Sequence, residues 1–169
     1  MLGINKDKNI KSVRLGISSD HGGYGLKEYI YNNLIANGYN VKNFGVYNEE
    51  SVDYPGYALK IILEILNKDI DFGILFCGTG IGVSISANKF PGIRAALCHN
   101  VETARLSRMH NNANIIALGG RILDKNIAAE MIDVWLNTDF EGGRHLRRVN
   151  LIDKQALPYW EKYIKEEGR

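Results

Sequence analysis

The chain has 169 residues and a mass of 19.0 kDa, the length of one compact domain. With 45% hydrophobic and 24% charged residues and a mean hydropathy of -0.20, it lies in the globular range, which excludes disorder, collagen-like repeats and coiled coil as whole-chain readings. Lys and Arg number 21 against 19 Asp and Glu, a net charge of +2, so no bulk field drives non-specific binding to nucleic acid or membrane.

Residues 1–11 are polar and charged and read as a short N-terminal extension, with the domain itself running from 12 to 169. Val13–Ser18 is an apolar run ending in Ser19-Asp20-His21-Gly22-Gly23, a strand followed by a turn-rich loop. Leu26, Tyr29, Ile30, Leu34 and Ile35 then fall on one helical face, and Gly38 follows as the C-terminal stop. A second strand is predicted over Asn40–Phe44, and Asp53-Tyr54-Pro55 opens a helix whose stripe is Tyr57, Ala58, Ile61, Ile62, Ile65 and Leu66.

Phe72–Cys77 is almost wholly apolar, as a strand covered on both faces must be, and Gly78-Thr79-Gly80-Ile81-Gly82 leads from it into a helix reaching Lys89. Strands at Ile93–Leu97 and Ile115–Leu118 alternate with helices at Val101–His110 and Asn126–Leu136. The tail from Leu151 reads as helix that Pro158 interrupts or restarts, and Tyr159, Trp160 and Tyr163 suggest packing against something. Five strands separated by helices predict an α/β fold, a parallel sheet between helical layers with ligands bound beyond the strands' carboxyl ends.

Cys77 and Cys98 are too few for a disulfide framework and lack zinc-site spacing. With no run of about 18 apolar residues and no signal segment, the expectation is a cytoplasmic protein.

The glycine loop offers backbone N–H groups to an anion or a developing oxyanion. Val83 stands where a dinucleotide fingerprint needs its last glycine, and no Gly-Lys-Ser/Thr completes a phosphate loop. Val83 also occupies the position where a cysteine phosphatase carries its arginine. Two readings of Cys77 stand side by side: a thiolate base beside the loop, or a small hydrophobe filling a strand end. His110 is placed to move protons near neutral pH, or simply to cap a helix. Asp20 and His21 are candidates for sugar hydroxyls, with a plain turn as the alternative. Arg121, and Arg144 with Arg148 if their segment is helical, suit a phosphate that needs convergent forked donors; Arg147 and His145 lie between them in a patch that a solvated turn explains as well.

The ordered series Ser19-Asp20-His21-Gly22-Gly23, Asp53-Tyr54-Pro55, Cys77-Gly78-Thr79-Gly80-Ile81-Gly82, Ala87-Asn88-Lys89, Gly92-Ile93-Arg94-Ala95, Ser107-Arg108, His110-Asn111 and Gly142-Gly143-Arg144-His145 resembles the type B ribose-5-phosphate isomerases over nearly the whole chain. The resemblance implies a single Rossmann-like three-layer domain with a five-stranded parallel sheet and a C-terminal helix packing on a partner subunit. It implies interconversion of ribose 5-phosphate and ribulose 5-phosphate without metal or organic cofactor, by a homodimer or dimer of dimers with active sites at the subunit interface. Carried onto this chain, Cys77 is the proton-abstracting base, His110 the ring-opening acid, Thr79 part of the catalytic loop, and Gly78, Gly80, Ile81 and Gly82 the enediolate cradle. Asp20, His21, Tyr54 and Asn111 become sugar contacts, and Arg121, Arg144 and Arg148 grip the substrate and its phosphate. Some relatives use a glutamate after the loop instead of the cysteine; this chain has no carboxylate at Ile81, Val83 or Ser84, so it resembles the cysteine-using branch. A six-carbon sugar phosphate such as allose or galactose 6-phosphate, or a non-catalytic sugar-phosphate sensor, is the alternative.

Overall fold

The computed structural model describes residues 12–167, so the predicted extension over 1–11 lies outside the described residues. Five strands, β1 (Arg14–Ser19), β2 (Asn40–Asn43), β3 (Phe72–Cys77), β4 (Ala95–Leu97) and β5 (Ile115–Gly119), form one sheet in the order β2-β1-β3-β5-β4. Every pairing is parallel. Apolar residues make β3 and β5 interior strands, buried throughout past Phe72, whereas β2 alternates between exposed and half-buried positions because it is an edge.

Helices α1 (Tyr24–Ala36), α4 (Val101–Asn111) and α5 (Lys125–Asn137) cover one face of the sheet. Leu26, Ile30, Met131, Ile132 and Trp135 pack there against Leu15, Ile17, Ile74 and Ile116. Helices α2 (Tyr54–Leu66) and α3 (Ile81–Ala87) cover the other face, where Ala58, Ile61, Ile62 and Val83 meet Leu75, Ile115 and Ala117. The chain moves outward from β1 to β2 and then crosses back to β3, so the loops after β1 and β3 diverge at one point in the sheet, the position at which such folds leave a crevice.

The last helix corrects the sequence-based boundary. Helix α6 runs unbroken from Gly143 to Glu167 with Pro158 inside it. Proline removes one backbone donor, and on this exposed stretch water reaches the carbonyl left without it. The helix begins eight residues before Leu151, so Arg144 and Arg148 are one turn apart on it. Leu146, Ile152, Leu157, Tyr159, Tyr163 and Ile164 of α6 are all exposed. Among the described residues, no helix is long and apolar enough to cross a membrane.

Candidate active site

Two groups of candidate residues occupy opposite ends of the sheet. The first gathers at the carboxyl ends of β1, β3 and β5. Cys77, the last residue of β3, is 4% exposed, and its Sγ accepts the backbone N–H of Gly80 at 3.0 Å. The sulfur thus faces a donor of the glycine loop. Cys98, also buried, has its thiol pushed up by burial and sits against the carbonyl of Ala96, which makes it an inert packing residue.

Gly80 has φ +79°, and a β-carbon there would lie 2.7 Å from Leu97 Cδ1 and 2.9 Å from the carbonyl carbon of Leu118. Only glycine fits so close to β5, and this proximity turns the loop back over Cys77. Gly80→Ala is therefore expected to cost about 2 kcal/mol through strain and crowding. A urea unfolding midpoint equal to that of the unmodified protein would refute this account of the loop.

The loop is tied to its neighbours by the backbone. Gly120 N–H donates to Cys77 O at 2.8 Å and Arg121 N–H to Gly78 O at 3.0 Å. Arg121 lies over the loop: a β-carbon on Gly78 would be 3.4 Å from its Nη1, and one on Gly22 would be 3.3 Å from its Cζ. Thr79 is exposed and its Oγ1 accepts from Ile81 N at 3.3 Å. Tyr54 stands against Gly82, where a β-carbon would come within 2.9 Å of the ring.

Asp20 is buried, and its Oδ1 accepts Gly23 N–H at 2.9 Å across a single 3₁₀ turn, His21–Gly23. This carboxylate thus does the turn-forming work that its sequence context suggested, with its second oxygen available to other donors. Nδ1 of His21 accepts the N–H of Val52 at 3.2 Å, which leaves the ring proton on Nε2.

Lys27 escaped the sequence reading. It is fully buried, its Nζ donating to Val46 O at 2.6 Å and Asn43 Oδ1 at 3.3 Å and pairing with Glu28 at 2.6 Å. It anchors the start of the loop whose far end holds His21. At about 100° per residue, position 27 falls beside Leu34 on the apolar face of α1, and that was the available signal.

The second group lies where α4 ends and α6 begins, beside the amino ends of β4 and β5. Arg108 is buried, stacked 4.4 Å from the centre of Phe72, and donates to Ala113 O at 2.6 Å. Burial, and secondarily Arg94, lowers its pKa to about 10, so it stays charged at neutral pH. Together with Arg94, whose Nε donates to Asn112 O at 2.9 Å, it fixes the end of α4 and thereby His110 and Asn111. The His110 ring stacks on that of His145, centroids 4.2 Å apart and planes 1° from parallel. Glu141, which sequence reasoning also missed, faces both rings; its spacing of four from His145 in Glu141-Gly142-Gly143-Arg144-His145 was the clue. Arg144, Arg147 and Arg148 are exposed on the first turns of α6. There the positive end of the helix dipole adds to three guanidinium groups, a combination suited to a phosphate.

A parallel five-stranded sheet with a donor-rich glycine loop at its switch point defines a Rossmann-like α/β protein built to bind and act on a small ligand. The family model for ribose/galactose isomerases matches residues 15–152. Ribose-5-phosphate isomerase B of Escherichia coli K12 is 42% identical over 82% of this chain and 93% of its own length. A ribose 5-phosphate isomerase from Thermotoga maritima superimposes with a TM-score of 0.84 at 51% identity, over 85% of this chain and 99% of that one. A ribose-5-phosphate isomerase B from Clostridium thermocellum does so with a TM-score of 0.85 at 49% identity, over 87% and 99%. The chain belongs to the ribose/galactose isomerase family.

Proposed function

We propose that this protein is an aldose–ketose isomerase that interconverts D-ribose 5-phosphate and D-ribulose 5-phosphate. The observation that carries this reading is the Cys77 sulfur, held 3.0 Å from a glycine-loop N–H at the sheet's switch point. In the mechanism, His110 opens the sugar ring and Cys77 thiolate removes the C2 proton. The negative charge that develops on oxygen is met by loop N–H groups, each worth about 3 kcal/mol to such an intermediate. Transfer of the C2 hydroxyl proton to the oxygen on C1, with return of a proton to C1, gives the ketose. Asp20, His21, Tyr54 and Asn111 hold hydroxyls, and the arginines hold the phosphate.

The site is shared between two copies of the chain. β3 and β5 run in register from Gly73 opposite Ile115 to Cys77 opposite Gly119. Four such steps at 3.3 Å put roughly 13 Å of strand between the end that carries Cys77 and the end beside His110. One proton relay cannot span that length, so His110 with Arg144 and Arg148 serves the Cys77 of a neighbouring subunit. The exposed apolar residues of α6 supply a surface for that contact. A homodimer, alone or paired into a tetramer, satisfies both requirements. Phosphorylated sugars are confined within the cell, which argues for a cytoplasmic location.

Incubation with ribose 5-phosphate and detection of ketose tests the proposal. Absence of product would overturn it, and product from allose or galactose 6-phosphate in preference would move the assignment to a six-carbon sugar. Arg148→Ala is expected to raise KM about 10-fold, the loss of one charged hydrogen bond, while kcat stays within about threefold. Steady-state kinetics check this, and an unchanged KM would remove Arg148 from the phosphate site.

A further inference from the structure

Glu141 has no part in the chemistry assigned above, yet three contacts hold it beside His110. Its N–H donates to Met109 O in the last turn of α4 at 3.0 Å. Its Oε2 lies 3.5 Å from Nε2 of His110 and 3.8 Å from Nε2 of His145. One carboxylate oxygen thus faces two imidazoles.

The surroundings of His145 decide which ring the carboxylate serves. Arg144 Nε donates to Nε2 of His145 at 3.3 Å, so that nitrogen is an acceptor and bears no proton. Burial, then the neighbouring His110, hold the His145 imidazole below its ordinary proton affinity. His145 therefore offers Glu141 no donor at that nitrogen, which leaves Nε2 of His110, 3.5 Å away, as the imidazole atom the carboxylate can serve. The His, Glu, His set would also suit a transition-metal ion. Parallel stacked rings, however, hold their lone pairs in two separate parallel planes, which do not meet at one ion, and Arg144 already occupies that of His145.

We propose that Glu141 is a positioning residue for ring opening, accepting from Nε2 of His110 while His145 braces the face of the ring. The proposal rests on the reading of His110 as the group that opens the sugar. In that step His110 takes the proton of the anomeric hydroxyl as the C1 carbonyl forms. The bond from C1 to the ring oxygen breaks, its electron pair goes to that oxygen, and His110 returns a proton there. Between the two transfers the ring is an imidazolium, and the carboxylate of Glu141 stabilises it and fixes which nitrogen works, as the third member of a base–orienter arrangement does.

Glu141→Gln keeps the shape and removes the charge. With ribose 5-phosphate, which is cyclic, kcat is expected to fall about 10-fold, the usual effect of losing such an orienting partner, with KM little changed. Ribulose 5-phosphate has no ring, so exchange of its C1 hydrogen with deuterated water needs Cys77 and the loop but no ring opening. That exchange is expected to continue at the unmodified rate, and Glu141→Asp, which retains the charge, to recover part of the lost kcat. An undiminished kcat in Glu141→Gln, or exchange that falls in step with kcat, would overturn the proposal. A wild-type protein inert toward both sugars would overturn the functional reading beneath it as well.

Discussion

Cys77→Ser is expected to lower kcat for ribose 5-phosphate by about 10³-fold and leave KM nearly unchanged, because an alcohol is a far weaker base than a thiolate and general base catalysis is worth about 10²–10⁴ in rate. The substitution is nearly isosteric, and the buried site is already polar enough to donate Gly80 N–H to the side chain, so the fold is expected to survive. Exchange of the C2 hydrogen of the substrate with solvent isolates the step in question. Near-normal exchange in Cys77→Ser would exclude Cys77 as the base and return it to the reading of a small residue filling the end of β3.

The second large effect is recovery of activity from two inactive proteins. Cys77→Ser and His110→Asn should each be nearly inert alone. If each site combines Cys77 of one subunit with His110 of its neighbour, a mixed dimer contains one site with both residues intact and one with both lost. Random reassortment of equal amounts makes half the dimers mixed, so about a quarter of the unmodified activity should return. If one chain supplied both residues, no mixed dimer would hold an intact site and nothing would return. Denaturing the two variants together, refolding them and assaying ketose formation distinguishes these outcomes.

Several elements were legible because their signal is local. The apolar run Phe72–Cys77 is a strand buried on both faces of the sheet, and the stripe Leu26, Ile30 and Leu34 faces the core. The helix over Asn126–Leu136 is observed as Lys125–Asn137, with Asp124 capping it through Oδ1. Helix α3 stops at Ala87, short of the expected Lys89, and β4 begins two residues late at Ala95. Ends are set by capping contacts that pattern does not encode; Asn88, for instance, leaves the helix to bond both the N–H and the carbonyl of Ala95. Pro158 misled for a different reason: it lies inside α6 on an exposed stretch, where the carbonyl that loses its helical donor is open to solvent rather than buried.

The sequence by itself determined the alternation of strands and helices, the glycine loop after Cys77 and the family to which the ordered motifs point, since each depends on neighbours a few residues apart. Only the tertiary structure decided that Cys77 and His110 lie at opposite ends of the sheet, that Lys27 is buried beneath the loop after β2, and that Glu141 faces His110. Those facts follow from which strands pair and how helices meet. Distances across a fold are fixed by that packing and not by separation along the chain.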